Sequence, residues 1–339
     1  MDGATAASML NWKEEPVKHL LRRMSFYLVA LWASITINFI IPRLAPGDPA
    51  GALMARFQGR MTPQAVRALQ LQFGITHDPL WIQYMQYLNN LFHGNMGTSF
   101  TYFPTPVSTV LLQELPWTLA LVGTSVLISF VLGSLIGVLL AWKRGSFFDS
   151  FLPPFLTFFS AIPYFWLALV ALYILAYTLN LFPLNGGYDT STTVGWNTDF
   201  LFSAVNHALL PAFTIVLASI AGWLLGMRNA MITTLTEDYV LLAEAKGLSQ
   251  RRVMLSYAAR NAILPNVTGF ALSLGFVVGG ALLTEVVFSY PGIGFALLQA
   301  AQNSDYPLLQ GIFLVIAIAV LGANFIADLV YVVLDPRVR

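Results

Sequence analysis

LPWTLALVGTSVLISFVLGSLIGVLLAW, residues 115–142, carries no charged side chain. A helix that crosses the hydrocarbon of a bilayer needs about 20 consecutive apolar residues, and this run is longer. A soluble core helix keeps polar residues on its outward face, and several consecutive turns here have almost none. The same pattern recurs on either side. Uncharged spans run from Met24 to Pro42, Ser150 to Tyr188, Phe200 to Met227, Asn261 to Thr284 and Tyr306 to Ala327. With 57% hydrophobic and 10% charged residues among 339, the chain reads as an all-α polytopic membrane protein with six transmembrane helices.

The basic residues orient that bundle. Lys13, Lys18, Arg22 and Arg23 precede the first span, and Lys143 and Arg144 follow the second. Arg228, Lys246, Arg251, Arg252 and Arg260 surround the fourth loop, and Arg337 and Arg339 end the sequence. These thirteen of the seventeen Lys and Arg fall on one side, leaving Arg43, Arg56, Arg60 and Arg67 in a long segment on the other. The positive-inside bias therefore predicts both termini in the cytoplasm. The run from Met24 is too long for a signal-peptide core and lacks a small-residue cleavage pattern, so it is expected to stay as the first helix. Residues 1–23 then form a cytoplasmic tail, amphipathic near Val17 to Leu21.

Residues 24–44 make the first helix and 45–114 an external segment. In that segment PGDP at 46–49 is a turn, Thr62-Pro63 starts a short helix, and Pro79 to Phe92 forms an amphipathic piece. The five-helix core, 115–335, holds helix 2 over Leu115–Ala141, helix 3 from Phe151, helix 4 after Pro211, helix 5 over Asn266–Val287 and helix 6 over Leu308–Tyr331. Gly133-xxx-Gly137 in helix 2 is a small-residue packing pattern. Pro163 is expected to kink helix 3. Helix 5, with small residues and hydroxyls, is the one expected closest to a translocation path; its candidates are Thr268, Ser273, Gly279 and Thr284, with Pro163 on helix 3. Val286 to Ser304 is a re-entrant or external loop, where Glu285, Pro291, Gly292 and Gly294 are candidates for an external gate. Glu285 is expected to hydrogen-bond the loop backbone rather than to transfer a proton. Residues 336–339 are the cytoplasmic end.

EDYVLLAEAKGLSQRRVMLSYAARNAILP, residues 237–265, concentrates charge and small residues in one loop, 229–263, of an otherwise embedded chain. It reads as short helices joined at Gly247. Leu241, Ala245 and Leu248 fall three or four residues apart and predict one apolar stripe, with Glu237, Glu244 and Lys246 around it. Gly247 permits a sharp break, and Ser249 can cap the following helix bearing Arg251 and Arg252. Such a loop suits docking of a partner; the competing reading is a basic loop that binds anionic headgroups.

Other function classes find little support. Net charge near +1 gives no reason to propose nucleic acid as a partner, and the absence of cysteine excludes disulfides and thiolate metal sites. His19, His77, His93 and His207 form no metal-ligand pair, no metal site is expected, and no hydroxyl has a base beside it in sequence. The chain lacks the G-x-x-x-x-G-K-[ST] phosphate loop, so it binds no nucleotide cofactor of its own by that route. An ion-coupled transporter should show an inverted repeat or an intramembrane acid, and neither is clear.

Several segments in order resemble the membrane subunits of ABC importers, within the dipeptide/oligopeptide/nickel permease branch. They are LLRR before helix 1, RLAPGDPA at 43–50, GNMGTSF at 94–100, residues 238–265, EVVFSYPGIGFALLQAAQNSDYPLLQG at 285–311, and LDPRVR at 334–339. The resemblance implies the type I importer permease fold in a prokaryotic inner or plasma membrane. It implies that the 229–263 loop carries the EAA motif, matched at Ala243, Gly247 and Leu264-Pro265, although the motif's leading Glu falls on Leu241. Glu237 to Leu248, with Arg251 beyond, would be the coupling helix that docks on an ATPase. The implied partners are a second homologous permease, two ATP-binding subunits holding ATP and Mg, an extracytoplasmic solute-binding protein and membrane lipid. Di- or oligopeptides are the branch's commonest solutes; nickel complexes, glutathione and oligosaccharides are carried by other members.

Overall fold

A computed structural model describes residues 24–41, 43, 78–279 and 281–334. The N-terminal tail, the turn at 46–49, the helix start at Thr62 and the last residues lie outside that range. Among the described residues the secondary structure is helical, apart from one isolated bridge between Thr98 and Pro106. The helices are α1 (Met24–Ile41), α2 (Leu80–Phe92), α3 (Val107–Trp142), α4 (Phe147–Ala161), α5 (Tyr164–Thr178) and α6 (Thr198–Thr234). They continue with α7 (Asp238–Ala245), α8 (250–262), α9 (Leu264–Val277), α10 (Leu282–Val287), α11 (Ile293–Gln302) and α12 (Tyr306–Leu334).

Among the described residues, α1, α3, α6 and α12 are long and apolar enough to cross a membrane, and the bent pair α4–α5 passes the same test when taken together. The expected sixth span, Asn266–Val287, is divided instead. Its first half, α9, has 14 residues and stops at Val277, and the chain resumes as α10 at Leu282.

Several boundaries differ from expectation for local reasons. Helix α3 begins at Val107, because Pro106 in an extended conformation starts it and Pro116 is carried inside it. After Pro116 the helix widens into a π-turn over Leu119–Gly123. Helix α4 begins at Phe147, where the Ser146 hydroxyl accepts from the Asp149 N–H. Pro163 does not kink a helix interior. Ile162, forced into the extended region before proline, ends α4, and Pro163 opens α5 at 94° to it. Helix α6 starts at Thr198, capped by the Asn197 side chain, and runs through Pro211, so it begins well before the expected start after Pro211.

The bundle is built around the α3–α6 pair, the most extensive helix contact. A Cβ on Gly133 would stand 2.7 Å from Trp223 Cβ, and one on Gly137 2.6 Å from the Leu224 carbonyl oxygen. Absence of side chains there is what lets the two backbones meet, as Gly133-xxx-Gly137 predicted. Ser129 and Ser219 share a 2.8 Å hydrogen bond across the same seam. Asn266 at the start of α9 joins it by donating to Ser134 Oγ and to the Trp223 carbonyl. Helix α12 packs on α9, where Gly275 faces Ala323.

Candidate functional site

Two regions singled out by the sequence lie on different elements and differ in kind. The first is the segment after α6. Helix α7 turns Val240 and Ala243 inward, 1% and 3% exposed, against Val138, Met227, Met231, Val253 and Ala258. Its opposite side carries Leu241 and Leu242, 51% and 55% exposed, with Ala245, Glu237 and Glu244 also open to solvent. The predicted stripe is thus divided. Leu241 and Ala245 point out, whereas Leu248 is half-buried and packs on the inner cluster. Ala243 belongs to the anchor, not to the free face.

The end of α7 is closed by backbone geometry. The Lys246 N–H donates to the Leu242 carbonyl at 3.0 Å, and the Gly247 N–H to Glu244 at 2.8 Å. Gly247 adopts φ +74° with open space around it, the left-handed turn that glycine makes without steric cost. Ser249 takes the extended cap position before α8, but its hydroxyl makes no capping bond. Asn261 at the far end of α8 donates to Tyr239 Oη at 2.9 Å, tying α8 back to α7. Arg251, Arg252 and Lys246 remain exposed. The product is a short helix held at a fixed attitude by one buried face, with an apolar, charge-rimmed face uncovered.

The second region is the corner after α10. Glu285 is fully buried, and its carboxylate accepts from Thr118 Oγ1 at 2.8 Å, Gly294 N at 2.7 Å and Phe295 N at 3.3 Å. The Ile293 N–H donates to Thr118 Oγ1 at 2.8 Å, so the acid and the hydroxyl together satisfy the first turn of α11. The glycines are required by this closeness. A Cβ on Gly292 would lie 2.5 Å from Glu285 Oε2, and one on Gly294 2.6 Å from Leu282 Cα. Pro291 packs against Gly187 of the α5–α6 loop, and Gly186 N donates to the Phe288 carbonyl. Tyr188 stacks on Trp117, which meets Tyr290 edge-on. Burial, reinforced by Glu285, holds the Tyr290 hydroxyl above the usual phenol range. The corner expected as a loop therefore contains helix α11 and is densely bonded.

The expected path residues lie along α9 and α10, in the link between them, and at the α4–α5 break. Thr268 and Ser273 return their hydroxyls to the Leu264 and Phe270 carbonyls of their own helix. Thr284 is buried with no partner for its hydroxyl, Gly279 sits beside Ile316, and Pro163 is the α4–α5 break.

Two polar clusters were not foreseen. Asp305 is fully buried, caps α12 through the Leu308 N–H, and accepts from Ser99 Oγ and Thr101 N. Burial, with Glu114 and Asp305 nearby, pushes the Tyr102 hydroxyl up to about 12. An acid two residues before Pro307 is a helix-start signal that could have revealed this cap. Asp149 and Arg228 form a two-pronged ion pair at 2.6 and 3.0 Å, with Gly145 N as a further donor to the carboxylate. Only their distance apart in sequence concealed it.

Several helices long and apolar enough to cross a membrane mark a membrane protein. Comparison with known families agrees. Residues 133–339 match the binding-protein-dependent transport system inner membrane component, and residues 17–122 match the N-terminal region of such membrane components. The chain belongs to this permease family, and is a multi-pass membrane protein. It is 33% identical over 95% of its length, and 99% of the relative, to the oligopeptide transport system permease AppB of Bacillus subtilis. It is 35% identical to the di/tripeptide permease DppB of Pseudomonas aeruginosa, covering 94% of this chain and 98% of that one. The dipeptide permease DppB of Escherichia coli K12 is 32% identical over 95% and 99% of the respective chains. The motifs GNMGTSF and SDYPLLQG, distant in sequence, meet at the Asp305 cap.

Proposed function

We propose that this chain is the permease subunit of an ATP-driven, binding-protein-dependent importer of di- or oligopeptides. The peptide assignment follows the names of its relatives. The observation that carries the coupling role is α7: Val240 and Ala243 fasten it to the bundle, while Leu241, Leu242 and Ala245 stay uncovered behind a glycine-made stop. Such a face fits a cleft on an ATPase subunit. Glu237, Glu244, Lys246 and Arg251 form its charged rim, which sets orientation more than affinity.

In this reading a second homologous permease completes the path, two partner subunits hold ATP and Mg, and an extracytoplasmic protein delivers solute. Spans α1, α3, α4–α5, α6, α9–α10 and α12 cross the membrane six times, with both termini cytoplasmic. Closure of the ATPase pair displaces α7 and biases the bundle between two states. To reverse a 1:99 distribution, that bias must reach about 5.5 kcal/mol.

The test is reconstitution of the complete assembly with its binding protein. Peptide-stimulated ATP hydrolysis and vesicle uptake are expected, and mass spectrometry of the binding protein should return a peptide. Full-rate uptake by this chain without ATPase subunits would refute the coupling role. A nickel complex or oligosaccharide on the binding protein would refute the peptide assignment alone. A reporter fused after Arg339 that is active only outside the cytoplasm would refute the topology.

A further inference from the structure

A cavity of about 280 Å³ opens between the end of α1, helix α2 and the start of α12. Among the described residues its lining includes Arg43, Gln86, Asn90, Asn95 and Gln310, and no carboxylate. We propose that this cavity binds the phosphodiester of a phospholipid headgroup.

The donors are arranged for an oxyanion. Arg43 is held flat, its guanidinium carbon 3.5 Å above the Phe39 ring, by bonds from Nη1 to the Phe39 carbonyl and from Nε and Nη2 to Gln83 Oε1. A guanidinium has five N–H groups, so two remain for a ligand, and arginine matches phosphate oxygens in paired fashion. The Gln86 and Asn90 carboxamides make no hydrogen bond among the described residues, and Asn95 uses only its oxygen, toward Gly97 N. Each therefore presents a free amide donor at the cavity. One cation, several neutral donors and, among the described residues, no competing acid suit a single negative charge.

Position selects a lipid over a free anion. The cavity sits where α1 ends and α12 begins, so two candidate spans place it at the boundary between hydrocarbon and water. Below it, Phe26, Leu28 and Trp32 leave α1 with an exposed apolar surface against which acyl chains can lie. Beside it, α2 exposes Trp81 at 67%, an amphipathic aromatic of the kind that settles at headgroup level. The volume is close to the roughly 300 Å³ lower end of small-ligand sites, enough for a headgroup but not for its chains.

The test uses the full chain in nanodiscs of phosphatidylethanolamine and phosphatidylglycerol, released for native mass spectrometry. One retained phospholipid is expected. Arg43→Gln should lower its occupancy about tenfold, the loss of one charged contact. Asn90→Leu removes an exposed carboxamide without a partner, leaves the fold intact and should lower occupancy about threefold. Lys143→Gln, at the far end of α3, should leave it unchanged. Wild-type retention in Asn90→Leu and Arg43→Gln would overturn the proposal. So would displacement of the lipid by millimolar inorganic phosphate, which would identify a site for a soluble anion, or by millimolar dipeptide, which would identify a site for a soluble zwitterion.

Discussion

The segment around α7 and the corner around Glu285 are both short helices following long ones, yet they are stabilised in opposite ways. In the corner the Glu285 carboxylate accepts from the Thr118 hydroxyl and the Gly294 and Phe295 N–H groups, and an extra carbon at 292 or 294 would strike Glu285 or Leu282. A Cβ on Gly247 would meet nothing within 4 Å, and all of α7 except Val240 and Ala243 is exposed. One glycine pair is demanded by packing, the other glycine by backbone conformation. The corner's residues are tied into the fold, whereas α7 leaves Leu241, Leu242 and Ala245 uncovered.

The largest effect should follow loss of the Glu285 carboxylate. In Glu285→Leu, the Thr118 hydroxyl and the Gly294 and Phe295 N–H groups lose their acceptor while still buried. Unmade buried bonds cost about 1–3 kcal/mol each, so a loss on the order of 3 kcal/mol or more is expected. Thermal unfolding of the purified chain in detergent should show it, with Glu285→Gln much milder because one acceptor oxygen remains. An unchanged melting temperature in Glu285→Leu would mean that the corner is not a fold-determining element. Gly292→Ala should come next, at about 1–3 kcal/mol, since the new methyl group overlaps a fixed carboxylate. It involves no backbone strain, because Gly292 is extended at φ 168°. Recovery of stability in Gly292→Ala combined with Glu285→Ala, relative to the sum of the two, would identify that overlap as the cause.

The contrast also explains what could be read in advance. Long uncharged runs announce α1, α3, α6 and α12 because a membrane span needs length and apolarity and little else. The break at Pro163 was visible as a proline but not as a right-angle turn, since proline alone does not distinguish a kink from a stop. Pro211, by contrast, lies inside α6 and stops nothing. Gly247 was legible because a glycine between a helix and a serine has few other uses. Leu248 was not: spacing put it on the Leu241 stripe, but Gly247 rotates the chain before it and sends it inward. Asp149–Arg228 and Ser99–Asp305 were invisible because 79 and 206 residues separate the partners.

On the α7 side the effects should appear in coupling and leave stability nearly untouched. Gly247→Ala places a Cβ at φ +74°, at a cost of about 1 kcal/mol. Gly247→Pro is harsher, since proline cannot adopt that φ and the 2.8 Å bond to the Glu244 carbonyl is lost. Insertion and melting of the bundle should stay near wild type in the alanine variant. Co-purification of the ATPase and peptide-stimulated hydrolysis should fall severalfold in the alanine variant and further in the proline variant. Normal assembly and full transport in Gly247→Pro would mean that the docking element lies elsewhere.

The smallest effect expected is that of Glu244→Lys. Glu244 is exposed, its carbonyl rather than its carboxylate supports the Gly247 turn, and its side chain stands at the rim beside Leu241 and Ala245. A rim charge sets approach and register more than affinity, and a single exposed pair contributes little. Reversal should therefore change ATPase association a few-fold at most, and that change should shrink as salt is raised through physiological ionic strength. Leu241→Ala in the same assay should weaken association more and show no salt dependence, because its contribution is apolar. If Glu244→Lys proved the more damaging, and equally so in high salt, the charge would be a buried contact with the partner. The uncovered face of α7 would then be centred on Glu244 rather than on Leu241.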